Sequence, residues 1–464
     1  MDRVTDMIAS FTDSMGADAL GHGILHEAER RLVDSLGCMI GAVSAAPAVI
    51  ARALAAEERG DFAASVLGLP RAASTAQAAV FANTVMVRYL DFNDTYFGPR
   101  GGGGHPSDLI PTALAVGEAT GASGTETALL IALGYELMSR LQSTVKLRER
   151  GWDQGFYTGL AAAMMSGKAL GLSHDQLANA AALAIVPHVP LRVTRAAELS
   201  MWKGCATADA ARNGVWAARL ARRGMTGPRD AFEGEDGVFA RVSGPFELEL
   251  PSRPDHWVIS QVHTKYRPAE YNSQALLDLA VEVREDVDLA DVSSIEVQTY
   301  WLAYSEIGSE PAKWDPQTRE TADHSIPFLL ARALVDGDIT SASFTPERIA
   351  DPALRPLMAK ITVTENRDYS DRFPGELMVR LTMRTSTGTI EREASYPRGH
   401  ARNPLTDQEI DHKFNDLVSG QPASGRAIAD RARSALWDLA SVADIGAVTR
   451  ELRELASDGR GEAS

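Results

Sequence analysis

The sequence predicts a mainly α protein. A large all-helical domain is built from both ends of the chain, and a smaller α+β domain is inserted between them. Three observations carry this reading. From about residue 20 to 225, apolar side chains in an alanine-rich stretch recur with the 3.6-residue period of a helix. After about residue 290 the period shortens to two, as in half-buried strands. From Thr406 onward helical patterning returns. The expected boundaries are 1–264 and 396–464 for the helical domain and 265–395 for the insertion.

Taken in order, Ile24, Leu25, Ala28, Leu32 and Leu36 share one helical face. Further helices are expected at about 47–59, 75–90, 107–120, 125–143, 157–170, 175–186 and 203–223. Gly121 and Gly124 separate two of them, and Gly171-Leu172-Ser173 ends one and caps the next. Ala161-Ala162-Ala163 leaves room for a neighbouring helix to come close. In the insertion, Ile295-Glu296-Val297-Gln298, Ile361-Thr362-Val363-Thr364 and the series Leu377, Val379, Leu381, Met383 alternate. A turn at Ser386-Thr387-Gly388-Thr389 leads into Ile390-Glu391-Arg392-Glu393 and makes a hairpin. Helices at about 271–284 and 322–335 lie among these strands, and Ser457 to Ser464 read as a frayed end.

The 464 residues are 45% apolar and 23% charged, enough for a substantial core. Lys and Arg total 46 against 62 Asp and Glu, a net charge of −16. Such a surface repels nucleic-acid backbones and anionic lipid, so neither nucleic acid nor membrane is expected as a partner. Cys38 and Cys205 lie far apart with no metal-ligand spacing around them, as free thiols in a reducing compartment do. The acidic start, Met1-Asp2-Arg3-Val4-Thr5-Asp6, is unlike a signal peptide, and no apolar run is long enough to span a bilayer. The protein is expected to be cytoplasmic.

Polar residues gather in four clusters. The first runs from Arg88 through Asp91, Asn93, Asp94 and Thr95 to Gly101-Gly102-Gly103-Gly104 and His105-Pro106-Ser107-Asp108. A histidine and carboxylates at a loop-to-helix junction can move protons, and free backbone N–H groups there can bind a carboxylate. The glycine run lacks the GK[ST] ending of a phosphate loop. The second cluster joins Arg192 and Arg195 to Lys203, at the start of a helix with alanine on all sides, where a buried charge needs a partner. The third is Lys265 through Gln274. In the fourth, Arg319 through Pro327, His324 reads as a structural histidine near a helix start. The acidic pairs Asp91/Asp94 and Asp315/Asp323 are the only candidates for a metal; without HExxH, EF-hand or HxH spacing, none is expected.

Together these clusters resemble the MmgE/PrpD family of 2-methylcitrate dehydratases and cis-aconitate decarboxylases. The matching segments are Leu90-Asp91-Phe92-Asn93-Asp94-Thr95, His105-Pro106-Ser107-Asp108, Gly134-Tyr135-Glu136 and Trp202-Lys203-Gly204. Gly224-Met225-Thr226-Gly227-Pro228, Phe232-Glu233-Gly234, Pro268-Ala269-Glu270, Thr318 to Ser325 and Pro397 to Pro404 complete a series that holds over almost the entire chain. The resemblance implies a helical domain, a smaller α+β lid and an active site in the cleft between them. It also implies a homodimer that needs no cofactor and acts on small polycarboxylates by dehydration, decarboxylation or epimerisation, as in propionate metabolism. It places active-site roles on Asp91, Thr95, His105 and Lys203. Two departures stand out. Gly151-Trp152-Asp153-Gln154 lacks a histidine that the family often carries there, and Tyr271-Asn272-Ser273-Gln274 lacks another.

All of these reactions develop negative charge on a carbon beside a carboxylate, so cations and N–H donors must stabilise it. The expected assignment is a hydro-lyase in which His105 or Asp91 removes the carbon-bound proton, and the other, or Lys203, protonates the departing hydroxyl. Substrate contacts are expected from Arg88, Asn93, Ser107, Gln154, Tyr157, Arg192, Arg195, Tyr271 and Asn272, with Tyr157 or Tyr271 as further proton carriers. A decarboxylase or epimerase on the same scaffold, or a scaffold without catalysis, are the alternatives.

Overall fold

The computed structural model describes residues 1–70, 73–99, 103–145, 147–196, 198–250 and 257–455. Gly101-Gly102 and the end at Ser457–Ser464 lie outside the described residues. The protein is mainly helical. The first helix, α1 (Arg3–Ser14), precedes the region where periodicity is conspicuous: Asp2 caps it, and Val4, Ile8 and Phe11 are buried. Then follow α2 (His22–Gly41), α3 (Ala46–Glu57), α4 (Ala76–Tyr89), α5 (Ile110–Thr120), α6 (Gly124–Thr144), α7 (Gly155–Ala169), α8 (His174–Ile185) and α9 (Trp202–Arg222). Two-residue strands form small antiparallel ribbons, β1 (Ala63–Ala64) with β2 (Ser74–Thr75) and β3 (Tyr96–Phe97) with β4 (Gly103–Gly104).

The helix ends follow the sequence signals. Gly121 closes α5 at φ 71°, and Ser123 opens α6 in a reciprocal cap with Glu126. Ser173 and Gln176 do the same for α8. Helices α7 and α9 cross in close contact. A Cβ on Gly214 would lie 2.4 Å from the carbonyl of Gly159, so the crossing requires hydrogen at that position. Among the described residues no single helix is long and apolar enough to cross a membrane.

Among the described residues two large cores divide the chain, beside a small cluster around Tyr271, Tyr300 and Tyr369. One runs from Val4 to Val262 and resumes from Leu405 to Leu455, so helices Asp407–Val418, Ala423–Leu436 and Ile445–Glu451 return to the first unit. The second core contains residues between Ala269 and Met383. It packs α10 (Gln274–Arg284) and the helix Ile326–Asp336 on a four-stranded sheet. The sheet comprises β5 (Val292–Thr299), β6 (Ile361–Glu365), β7 (Val379–Thr385) and β8 (Thr389–Ala394), in the order β6-β5-β7-β8. β5 pairs parallel with β6 and antiparallel with β7, and β7–β8 is the hairpin read from the alternation.

One element departs from its expected form in a way that matters. The helix read at about 322–335 is broken. Thr318 caps a single turn, Arg319–Ala322, and Ser325 caps the helix Ile326–Asp336, with Pro327 in its first turn. A proline there disfavours a continuous helix through the preceding residues. Asp323 and His324 are therefore left at the junction.

Candidate active site

A cavity of about 170 Å³ opens where the two units meet. Arg88, Thr95, His105, Gln154, Tyr157, Arg192 and Arg195 line it from the helical unit, and Glu270, Asn272, Glu306 and His324 from the α+β unit. Asp91, Asn93, Ser107, Lys203 and Tyr271 are not part of the lining; all five are buried.

The wall begins where α4 ends. Asp91 adopts φ 50°, in the left-handed region that aspartate tolerates better than most residues. Its Oδ1 pairs with Arg88, and with Lys265 at 2.8 Å. Burial alone would raise this carboxyl, but Lys265, Arg88 and Lys203 outweigh it and hold Asp91 well below the usual range. Asp91 is thus a fixed negative charge rather than a proton acceptor near neutrality.

His105 is engaged at both nitrogens. Nδ1 lies 2.7 Å from the carbonyl of Asp94, which only accepts, so Nδ1 carries the proton. Nε2 accepts from Arg88 at 2.8 Å. Burial, then Arg88 and Lys265, keep the imidazole well below its ordinary value and neutral. His105 and Asp91 together hold the Arg88 guanidinium at the cavity wall. Behind them, Asn93 donates to Ser107 Oγ at 2.9 Å and to Asp108 at 3.2 Å, and Asp94 accepts from the Ser107 N–H at 2.9 Å and Tyr135 at 2.7 Å.

Thr95 donates to the carbonyl of Gly104 at 3.2 Å. Gly104 has no room for a side chain, because a Cβ would meet the buried Gln142 amide at 2.2 Å. Beside it, Gln154 donates to Gly103 O at 3.2 Å and accepts from Arg195 at 3.0 Å, and Arg195 pairs with Asp153 at 2.6 Å. Tyr157 donates to the carbonyl of Val145, and burial pushes its phenol up. Tyr271 stacks on His263 at 5.2 Å and its phenol is also pushed well up by burial. Neither tyrosine exchanges protons near neutral pH.

The opposite wall holds what sequence reasoning passed over. Lys203 reaches from the first turn of α9 to Asp323, 3.0 Å from Oδ1 and 3.3 Å from Oδ2. Asp323 Oδ1 in turn lies 2.6 Å from His324 Nδ1. A carboxylate can only accept, so Nδ1 bears the proton and Nε2 keeps its lone pair. Among the described residues Nε2 has no partner, and the ring lines the cavity. Burial, with Lys203 Nζ only 3.3 Å from Nδ1, lowers His324 to about 4. The imidazole is neutral and oriented as a proton acceptor. The signal available in the sequence was Asp323-His324 directly before a serine cap and a helix-opening proline.

Glu270 follows Pro268-Ala269. Its Oε2 accepts the Asn272 N–H and its Oε1 the Asn272 side-chain amide, both at 2.7 Å. Tyr300 donates to Asn272 Oδ1 at 2.6 Å and so fixes which end of the amide faces Glu270. Burial pushes Glu270 up to about 7. Gln274 holds this turn by donating to the carbonyls of Arg267 and Ala269 at 3.0 and 3.2 Å.

One member of each acidic pair singled out for a metal turns elsewhere. Asp94 serves Ser107 and Tyr135, and Asp315 pairs with Arg355 at 2.9 Å. Among the described residues, Asp91, Asp323 and His324 are close enough to share a cation, with ligand atoms within 4.8 Å. Lys203, Lys265 and Arg88 already stand against those carboxylates.

The buried groups make stability depend on pH. His105, His263 and His324 have depressed values, so the stability they confer is present above about pH 6.5 and is lost as the unfolded imidazoles take up protons below it. Asp108, raised to about 6 by burial, and Glu270, at about 7, act in the opposite sense; their contribution is present at low pH and is lost as pH rises through those values. His188 and His400 join the imidazoles and Asp94 and Glu136 the carboxyls, and the imidazoles stay in the majority, so the unfolding free energy measured with urea should fall from pH 6.5 to 5 with a slope on the order of 1 kcal/mol per pH unit. Glu270→Gln removes an opposing contribution and should steepen that slope by a comparable amount. An unchanged slope would contradict the buried, protonated state of Glu270.

Comparison with known proteins gives a consistent result. The family model of the MmgE/PrpD N-terminal domain matches residues 6–251, and that of the MmgE/PrpD C-terminal domain matches residues 268–439. A cis-aconitate decarboxylase of Mus musculus is 25% identical over 437 residues, covering 90% of this chain and 87% of its own length. A 2-methylcitrate dehydratase of Cupriavidus necator is 28% identical over 410 residues, covering 82% and 83%. A 2-methylcitrate dehydratase of Escherichia coli (strain K12) is 28% identical over 348 residues, covering 70% and 71%.

Proposed function

The chain belongs to the MmgE/PrpD family, and from that premise we propose that it is a cofactor-independent hydro-lyase acting on a small polycarboxylate, in the manner of 2-methylcitrate dehydratase. The observation that carries this reading is the pairing on one cavity wall, where the Glu270 N–H donates to the Asp323 carbonyl at 2.9 Å, of His324, a neutral imidazole with a free lone pair, and Glu270, a carboxyl that stays half protonated near pH 7. Elimination of water needs one group of each kind.

In this mechanism His324 Nε2 takes the proton from the carbon next to a substrate carboxylate. The C–H electrons form the new double bond as the C–O bond breaks, and Glu270 gives its proton to the departing hydroxyl, releasing water. Asp323 stabilises the imidazolium that forms. The Arg88 guanidinium, held by His105 and Asp91, faces the charge developing on the carboxylate oxygens. Lys203 and Asp91 act from behind the wall, by position and charge.

Incubation of the pure protein with 2-methylcitrate, citrate, cis-aconitate and iminodisuccinate, followed by NMR, tests the reaction. An alkene formed from a hydroxy acid is the expected product. Release of carbon dioxide from cis-aconitate, or racemisation of iminodisuccinate, would replace dehydration by the corresponding reaction on this scaffold, and tight binding without conversion would exclude catalysis.

A further inference from the structure

At the cavity wall two arginines converge on one carboxylate oxygen. Arg192 lies 2.8 Å from Glu306 Oε1, and Arg148 contacts the same atom. The arginines belong to the turns Arg148–Arg150 and Arg192–Arg195 of the helical unit, whereas Glu306 sits in a π-helical turn, Tyr304–Gly308, of the α+β unit. All three line the cavity.

Two guanidinium groups so close repel each other; Glu149 and Glu270 also act on Arg148, and Asp153 and Glu310 on Arg192, but the carboxylate that meets both cations directly is Glu306. Burial and the neighbouring Arg192 lower Arg148 to about 10. Arg195 is not part of this cluster, because Asp153 takes two of its nitrogens at 2.6 and 3.3 Å. Arg148, Arg192 and Glu306 keep 39%, 23% and 24% of their side-chain surface exposed, so the contact is open to solvent. A partly exposed ion pair of this kind contributes modestly and can be exchanged for a ligand carboxylate. What remains is a pair of planar donors whose geometry suits a carboxylate.

We propose that Arg148 and Arg192 form a subsite for a distal carboxylate of the ligand, and that Glu306 fills it in the free protein as a tethered stand-in which the ligand displaces. The inference rests on the polycarboxylate reading above and adds where the second carboxylate goes. It also accounts for a carboxylate of the α+β unit being set against two cations of the helical unit: entry of a polyanion trades a contact between units for a contact with ligand.

A tethered carboxylate competes at an effective concentration in the millimolar range. Its removal should therefore strengthen binding, the reverse of what loss of an ordinary ligand contact does. Calorimetric titration with citrate, cis-aconitate and 2-methylcitrate, compared among the unaltered protein, Glu306→Gln and Arg192→Gln, reads this directly. Glu306→Gln should bind about tenfold more tightly, and Glu306→Ala should act in the same direction. Arg192→Gln should bind at least about tenfold more weakly, for loss of a charged hydrogen-bond partner. If the unaltered protein binds and Glu306→Gln binds equally or more weakly, the subsite is overturned while the polycarboxylate reading stands. If neither the unaltered protein nor Glu306→Gln binds any of the three, that reading falls and the subsite with it.

Discussion

Replacing His324 with asparagine should lower kcat by about 10²–10⁴-fold on whichever polycarboxylate is turned over, while leaving the protein folded. Asparagine can still donate to Asp323 from the position of Nδ1, so the buried carboxylate keeps a partner besides Lys203. It cannot accept a proton from carbon. Because His324 is held neutral at a cost in burial, its removal also takes away one of the groups that destabilise the fold in acid, so the variant should lose less stability between pH 6.5 and 5 than the unaltered protein does. Full activity in His324→Asn would remove the base from the mechanism. His105→Asn should be milder, because His105 acts by holding Arg88.

Replacing Lys203 with methionine should have two separable effects. It leaves Asp323 and Asp91 short of a buried cation, and breaking a buried pair from one side costs about 3–5 kcal/mol. It also removes the charge that presses His324 down, so the imidazole should rise from about 4 toward its ordinary value. The acid limb of kcat/KM should move upward with it, and turnover should fall at pH 6. A double variant, Lys203→Met with Asp323→Asn, should recover much of the stability, since both partners of the pair become neutral, without recovering rate. A merely structural lysine would lower stability and leave the pH limb in place; that outcome would contradict the account.

The helical unit was legible because its signals are local. A period of 3.6 residues, Gly121 and Ser123, Gly171 and Ser173 each act within a turn or two, and the structure uses them as the sequence suggests. The first helix, Arg3–Ser14, carries the same local signal, with Val4, Ile8 and Phe11 at i, i+4 and i+7 behind the Asp2 cap, although it lies before the alanine-rich stretch. The alternation that marked β5 to β8 was equally local. The break at Asp323-His324 had local signals too, a serine cap and a helix-opening proline, but the apolar run that follows them masked it.

The site was legible in its components and not in its pairings. Arg88, Thr95, His105, Gln154, Arg192 and Arg195 fall on one cavity as a group. Lys203 with Asp323 and Lys265 with Asp91 are bonds between residues 120 and 174 positions apart, and no spacing rule announces them. Those pairings decide the chemistry. They turn Asp91 into a fixed charge, and of the two histidines that line the cavity they leave His324 with an open nitrogen. Glu270 became visible only once burial and Asn272 were known; as a residue in a polar turn it reads like any exposed glutamate.

The most direct test of a proton-moving cavity is hydrogen exchange at carbon. With 2-methylcitrate, citrate, cis-aconitate and iminodisuccinate in D₂O, NMR should show the unaltered protein placing deuterium on a carbon beside a carboxylate, or removing that hydrogen with water, and His324→Asn should do neither at a comparable rate. Exchange that persists in His324→Asn, or an unaltered protein that binds these acids and never touches their C–H bonds, would contradict the account.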